Sequence, residues 1–498
     1  MERYDVIVAG SGAGGLTAAL LLALNGQRVL LLERSRRAGG SLLRFRRQGI
    51  PFDTGFHFTG SLQSGGLLDD MLRVLGMRDL LKPVFLHPDR AHQFFFEQEG
   101  RSFELPTGIP ALRDVLIQYF PGERRAVESY FERMERICQN TVFDLRQIST
   151  SLDSLDDDYV TLQEVLDGLT GDPVLKALFG GFCMCYGTRP DEVSFANHCR
   201  MTAGLCQSVG RFEGGGGALA DAFLRRLADL GVDVRTNTAL VGCLDVKDRV
   251  ARRFLLSNGE EVEAGAGVLT IHPKDILGIL PRAEVSKAFI SRVNGFESSA
   301  GFFSIFGTVK DPDPEFGSSI VSLFPYADLN RLLQPDLQGD SALVIVRTAE
   351  TALNGKPKQV LTAFEPSFPD SVAAWSASRM GSRPPEYYAY KQARTDRLKE
   401  RIVTHCPGYH ESLDVLDSAS VLTFREYLNS PDGSAYGIKQ KIGQFNLVGK
   451  LPVFNLYAAG QSAVLPGVVG AMMSSFLVCR AVLGKEKFNP FMEQRLCR

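Results

Sequence analysis

Residues 4–33 read YDVIVAGSGAGGLTAALLLALNGQRVLLLE. The apolar run Tyr4 to Gly10 predicts a buried strand, Ala13 to Asn25 a helix of small and apolar residues, and Arg28 to Glu33 a second strand. Together they make one βαβ unit. Gly10-x-Gly12-x-x-Gly15 falls in the turn between the first strand and the helix, and Glu33 closes the second strand about 20 residues on. In that context the first glycine permits the tight turn and the second lets backbone approach a pyrophosphate. The third lets helix and strand pack closely, and the N–H groups of Ala13, Gly14 and their neighbours face phosphate at the positive end of the helix. Glu33 is expected to accept hydrogen bonds from adenosine ribose hydroxyls.

FAD and NAD both satisfy this unit, and the residues after Glu33 decide between them. Arg34 to Gly40 (RSRRAGG) comes first, then Ser41, then Gly49 to Gly55 (GIPFDTG). The pair Gly39-Gly40 suggests backbone approaching a second long ligand segment, beneath a ribityl chain and flavin. At the far end LYAAGQ, Leu456 to Gln461, reads as a strand ending in glycine, and Gly467-Val468-Val469-Gly470-Ala471 opens an apolar helix. A helix N-terminus there suits the negative charge that develops in a reduced flavin.

The 498 residues exceed one hydrophobic core and predict two or three units. Charged residues at 22% and a formal net charge of -2 give no basic field for nucleic acid. Nine scattered cysteines argue against a secreted disulfide framework, and no metal site is expected, Cys183-x-Cys185 included. The first strand begins at Tyr4, leaving no room for a signal peptide, and the longest apolar run, Leu16 to Leu24, falls short of the roughly 20 residues that span a bilayer. The expectation is a cytoplasmic protein, free or peripheral to a membrane. The run Arg44-Phe45-Arg46-Arg47 is the candidate lipid contact, against the commoner reading of a solvated strand edge.

From about 66 to 204 the patterns are helical, with Gly122 to Asn140 and Thr161 to Leu178 among them. Phe212 to Leu230 predicts a glycine-rich turn and helix, and the short strands around 232–271 return to the first sheet. Alternating runs between 301 and 367 predict a second, antiparallel sheet, with Lys310 to Glu315 as a turn, and Pro385 to His405 predicts a long helix. The fold class is α/β: a Rossmann-type domain from 1–65, 206–285 and 426–498, and a substrate domain of mixed or antiparallel sheet plus helices from 66–205 and 286–425.

FDTGFHFTG at Phe52 to Gly60, YGTRPDEVSFANH at Tyr186 to His198, EGGGGALADAF at Glu213 to Phe223, YLNSPDGSAYG at Tyr427 to Gly437 and the segment Leu456 to Gly484 carry a family resemblance. In them the chain resembles the flavin-dependent group of phytoene desaturases, carotenoid isomerases and retinol saturase, within the wider amine-oxidase-like fold. The middle of the chain resembles it only loosely. The resemblance implies FAD, with Gly39, Gly40, Gly55, Gly460, Gln461 and Val469 joining the cofactor site and Leu240 or Val241 meeting adenine through backbone. The chain departs at three places: Ser41 replaces a common Arg or Cys, Thr270-Ile271-His272 replaces Ser-Asn-Ala, and Gln461 stands at a position often acidic in the fold.

By the resemblance the reaction is hydride exchange with a carbon–carbon bond of an apolar polyene or isoprenoid, by saturation, desaturation or isomerisation. NAD(P)H or another redox partner is expected only transiently, because a single dinucleotide loop exists. The alternatives are an amine oxidase of the same fold, for which an aromatic residue is missing from Ala458 to Ser462, and a prenyl-lipid escort resembling Rab GDP-dissociation inhibitor, against which the intact phosphate loop argues. His57 and Tyr436 are the catalytic candidates. Tyr186 and His198 are weaker ones, with structural packing the commoner role for all four.

Overall fold

The strand Arg3–Ala9 is flanked in the sheet by parallel Val29–Leu32 and Glu261–Leu269, and its second half is buried on both faces, Val6 and Val8 in one core and Ile7 and Ala9 in another. A parallel strand covered on both faces reads as a continuous apolar run, which is what VIVA is. The computed structural model describes residues 1–139, 145, 155–310, 317–335 and 339–496. In it the eight-stranded sheet runs Asp233–Arg235, Val29–Leu32, Arg3–Ala9, Glu261–Leu269, Arg253–Leu256, Leu240–Leu244, with Leu456–Ala458 pairing beside Glu261–Leu269 and Gly449–Lys450 beyond it. The helix Ala13–Leu24 lies against Gly467–Leu483, where Ser475 Oγ donates to the Gly14 carbonyl at 2.8 Å. Both helices are apolar around most of their circumference, as elements buried between a sheet and another helix must be.

The seven-stranded sheet runs Leu413–Ala419, Gly301–Val309, Pro357–Ser367, Leu343–Thr351, Ile320–Phe324, His92–Phe96, Arg101–Leu105. Its central strands are apolar on both faces for two separate reasons. Phe303, Ile305, Leu343, Ile345 and Leu361 pack with Leu398 and Ile402 of the helix Pro385–His405. The alternate residues Phe302, Phe306, Val344, Val346 and Phe364 join the core shared with the helices of 109–207.

Three strands stand where helical pattern alone was expected: Pro83–Phe85, His92–Phe96 and Arg101–Leu105. The last two form a hairpin whose first strand runs parallel to Ile320–Phe324, so the second sheet is mixed rather than purely antiparallel. The helix expected over 161–178 is two, Leu162–Leu169 and Pro173–Gly180, because Asp172 caps a fresh start, accepting from Val174 and Leu175 N–H at 2.9 and 3.0 Å ahead of Pro173. The strand Leu413–Ala419 and the closing helix Lys485–Leu496 had no counterpart among the elements expected from sequence. Beyond Lys310, the turn expected through Glu315 lies outside the described residues, as does Asn140.

Candidate cofactor and active site

The carboxyl ends of Arg3–Ala9, Val29–Leu32 and Glu261–Leu269 converge on one crevice, where ligands of open parallel sheets bind. It opens into a cavity of about 990 Å³ that continues between the two sheets. At its floor Gly10 has φ +95°, a left-handed value that favours glycine. A Cβ on Gly15 would lie 1.8 Å from the Gly10 carbonyl oxygen, so the turn and the helix start can coexist only with hydrogen there. A Cβ on Gly12 would meet nothing within 4 Å. That empty space is the cavity itself, and Gly12 caps the helix Ala13–Leu24 without any side-chain hydrogen bond, leaving the helix N–H groups for a ligand.

Glu33 is buried and held from three directions. Its Oε2 accepts from Ser11 N–H at 3.1 Å and from Ser11 Oγ at 2.5 Å, and its Oε1 accepts from Ser35 N–H at 2.8 Å. Ser11 Oγ in turn accepts from Gly39 N–H at 3.1 Å. Gly39 is the one cofactor candidate that does not reach the cavity wall; it stands behind it and fixes Ser11. Arg34, Gly40, Ser41, Gly55, Leu240, Val241, Gly460, Gln461, Val468 and Val469 line the same cavity as Gly10, Gly12, Ala13, Gly14, Gly15 and Glu33. A glycine turn opening a helix, a buried carboxylate at the end of the next strand, and glycine-rich walls from three distant parts of the chain in one cavity fit FAD.

His57 and Tyr436 line it too. His57 stacks on Phe364 with ring centroids 5.1 Å apart, and burial pulls its imidazole down to about 4, so it is neutral at pH 7. Tyr436 meets Phe302 edge-on at 5.9 Å, and burial holds its hydroxyl proton well above the ordinary tyrosine range. These rings, with Val344, Phe424, Met184, Met201 and Leu205, give the part of the cavity beyond the cradle an apolar surface. His198 belongs elsewhere. It is fully buried, with Tyr130 OH at 2.9 Å from Nε2 and Tyr186 OH at 2.8 Å from Nδ1, and it ties the helix Phe195–Gln207 to its neighbours. Tyr186 also hydrogen-bonds Cys183, which is core, whereas Cys185 reaches the cavity.

Sequence reasoning missed Ser11 and Asn429, and it singled out Thr270 only as a departure from the family, without a role. Ser11 is a variable position of the glycine motif. Thr270 Oγ1 donates to the carbonyls of Ala9 and Gly10 at 3.0 and 3.2 Å and supports the turn from behind. Only the resemblance of the segment Tyr427 to Gly437 hinted at Asn429.

A nucleotide-cradling α/β crevice opening into an apolar chamber defines a flavin-dependent oxidoreductase. The model of the flavin containing amine oxidoreductase family matches residues 13–304, more than half of the chain, and the protein belongs to that family; its cofactor is FAD. It is similar to the all-trans-retinol 13,14-reductase of Danio rerio, 24% identical over 97% of this chain and 86% of the relative. It is also similar to prolycopene isomerase 1 of an Oncidium hybrid cultivar, 25% identical over 100% and 87%. Among solved structures putrescine oxidase superposes with a TM-score of 0.66 over 97% of this chain and 98% of that one, at 15% identity, a likeness of fold.

Proposed function

We propose that the enzyme saturates, desaturates or isomerises a carbon–carbon double bond in a long apolar polyene or isoprenoid. The observation that carries the reading is the apolar continuation of the cofactor cavity between Phe302, Val344 and Phe364 on the sheet and Met184, Met201 and Leu205 on the facing segments. Bound FAD supplies hydride exchange at its ring. The chain's own work is then largely positional: aromatic and methionine side chains orient an apolar substrate and keep water out, and little acid–base machinery is needed. Gly10, Gly12, Ala13, Gly14, Gly15, Gly40, Ser41, Gly55, Gly460, Gln461, Val468 and Val469 hold the cofactor's phosphates and ring, Glu33 and Arg34 its ribose side, and Leu240 and Val241 its adenine. Neutral His57 and protonated Tyr436, both on the cavity wall, are the groups through which a proton is relayed.

In this proposal 1–65, 206–285 and 426–498 form the cofactor domain, 66–205 and 286–425 form the substrate domain, and NAD(P)H or another donor acts only transiently. Two relatives named for polyenes and matched along nearly their whole length support the reading. Soaking with a long polyene tests it: density is expected to enter between the two blocks and end beside the cofactor residues. An apolar ligand bound elsewhere, with the chamber closed, overturns it.

A further inference from the structure

Asn429 lines the cavity. It is not glycine, yet its backbone is left-handed, with φ +56°. Such a backbone costs a non-glycine residue about 1 kcal/mol or more unless its surroundings hold it, and asparagine tolerates it better than most. Here two bonds to a loop almost 400 residues away hold it: Asn429 Nδ2 donates to Ser35 Oγ at 3.2 Å, and Arg34 donates to the Asn429 carbonyl at 2.9 Å. Ser35 is the residue whose N–H donates to Glu33 Oε1 at 2.8 Å, and its carbonyl accepts from Asn237 N–H at 2.9 Å.

Beyond Asn429 the chain crosses the cavity. Asp432 accepts from Ser298 Oγ, Ala435 N–H donates to the Ala300 carbonyl at 3.1 Å, and Tyr436 N–H donates to Ser299 Oγ at 3.1 Å. The segment is thus pinned to the loop of Arg34 and Ser35 at one end and, at the other, to residues 298–300, which lead into the strand Gly301–Val309. Both ends line the same cavity.

We infer that Asn429 is a positioning residue for the adenosine half of the cofactor: it acts through Ser35 and Arg34, fixing the loop that carries Glu33, and anchors residues 427–437 as a strap across the site. The inference rests on FAD occupying this cavity. Its two bonds hold the ribose corner, so their loss weakens whatever that corner grips and leaves the flavin end unaffected.

The test uses full-length protein stripped of flavin and titrated with FAD and, separately, with ADP. The parent must first rebind FAD stoichiometrically; failure there refutes the FAD reading itself. Asn429→Ala is expected to raise the dissociation constants of FAD and ADP by a common factor of about 5–20, from the lost Nδ2 bond and the left-handed backbone that alanine tolerates less well. Asn429→Gly keeps the left-handed backbone and the Arg34 bond, and is expected to fall between parent and alanine. Asn429→Asp, which reverses the bond so that Ser35 Oγ donates to the carboxylate, is expected to recover most of the affinity. Unchanged constants overturn the inference, as does weaker FAD binding with unchanged ADP binding, which places the effect at the flavin end. Thermal unfolding of the flavin-free variants separates general destabilisation from lost affinity: a variant that unfolds with the parent and still loses ADP affinity supports the inference. One whose affinity falls only in step with its unfolding temperature overturns it.

Discussion

Gly12 and Glu33 divide the cofactor's demands between shape and charge. Gly12 has φ −68°, a value open to any residue, and the space beyond its Cα belongs to the cavity. Gly12→Val is therefore expected to fold and to purify as colourless apoprotein; a folded variant retaining stoichiometric flavin would remove the pyrophosphate from this turn. Glu33→Ala is expected to weaken FAD by about 1–3 kcal/mol, the range for a hydrogen bond to a charged group, and an unchanged dissociation constant would take Glu33 out of the ribose site. His57 and Tyr436 carry the third residue-scale prediction. At pH 7 the His57 ring is neutral, so it passes a proton on rather than giving one up from an imidazolium. His57→Ala or Tyr436→Phe is expected to keep FAD and slow the substrate half-reaction by about 10²–10⁴. Equal rates in stopped-flow absorbance would return both side chains to the cavity wall.

At the scale of elements, the βαβ unit was legible to within a residue or two because burial on both sides, a glycine turn and a closing acid agree there. The strands His92–Phe96 and Arg101–Leu105 were less so. Their buried positions alternate with exposed or half-buried ones, and the sheet partner of His92–Phe96, Ile320–Phe324, is more than 200 residues away, while Arg101–Leu105 is an edge strand held only by the hairpin, so local pattern gave little reason to prefer strand. Leu413–Ala419 is an edge strand with mostly half-exposed residues and carries little apolar signal. The Arg44-Phe45-Arg46-Arg47 run reads as a basic patch in sequence, but in the fold Arg44 pairs with Asp53 and Glu350, Arg47 pairs with Asp417, and Phe45 packs on Phe306. One closer approach was not visible at all. A Cβ on Gly60 would sit 2.3 Å from the Gly204 carbonyl carbon, backbone against backbone, where Ser61 N–H donates to Gly204 O at 3.2 Å. Gly60→Ala is expected to destabilise the protein by about 1–3 kcal/mol, read as a lower denaturation midpoint; an unchanged midpoint would mean that the helix Phe195–Gln207 can shift freely.

For the whole molecule, acid is the sensitive direction. His92 and His198 are buried, and desolvation lowers them from 6.5 to about 4 and about 3. Their folded values lie below the unfolded one, so the unfolded chain takes up protons first. The stability they contribute is complete above pH 6.5 and is lost as pH falls through about 4. The unfolding temperature is expected to drop across that window, less steeply in His92→Phe, whose ring sits between Phe94 and Phe182; an identical slope would exclude His92 as a source.

What the sequence left open at this scale was how far the chamber extends past the cofactor, because its walls come from segments scattered between 57 and 436 with no shared motif. In the proposed reading this chamber brings a polyene to FAD. The most direct measurement is the anaerobic absorbance of the holoenzyme, followed in two half-reactions: chemically reduced protein mixed with all-trans-retinol and with longer polyenes, and oxidised protein mixed with saturated isoprenoids or with putrescine. Reoxidation by a polyene, reduction by an isoprenoid, or, for isomerisation, a shift in the polyene's own absorbance on the reduced protein without net flavin change, with no response to the amine, is the predicted result. Reduction by putrescine with no response to any polyene or isoprenoid would contradict it.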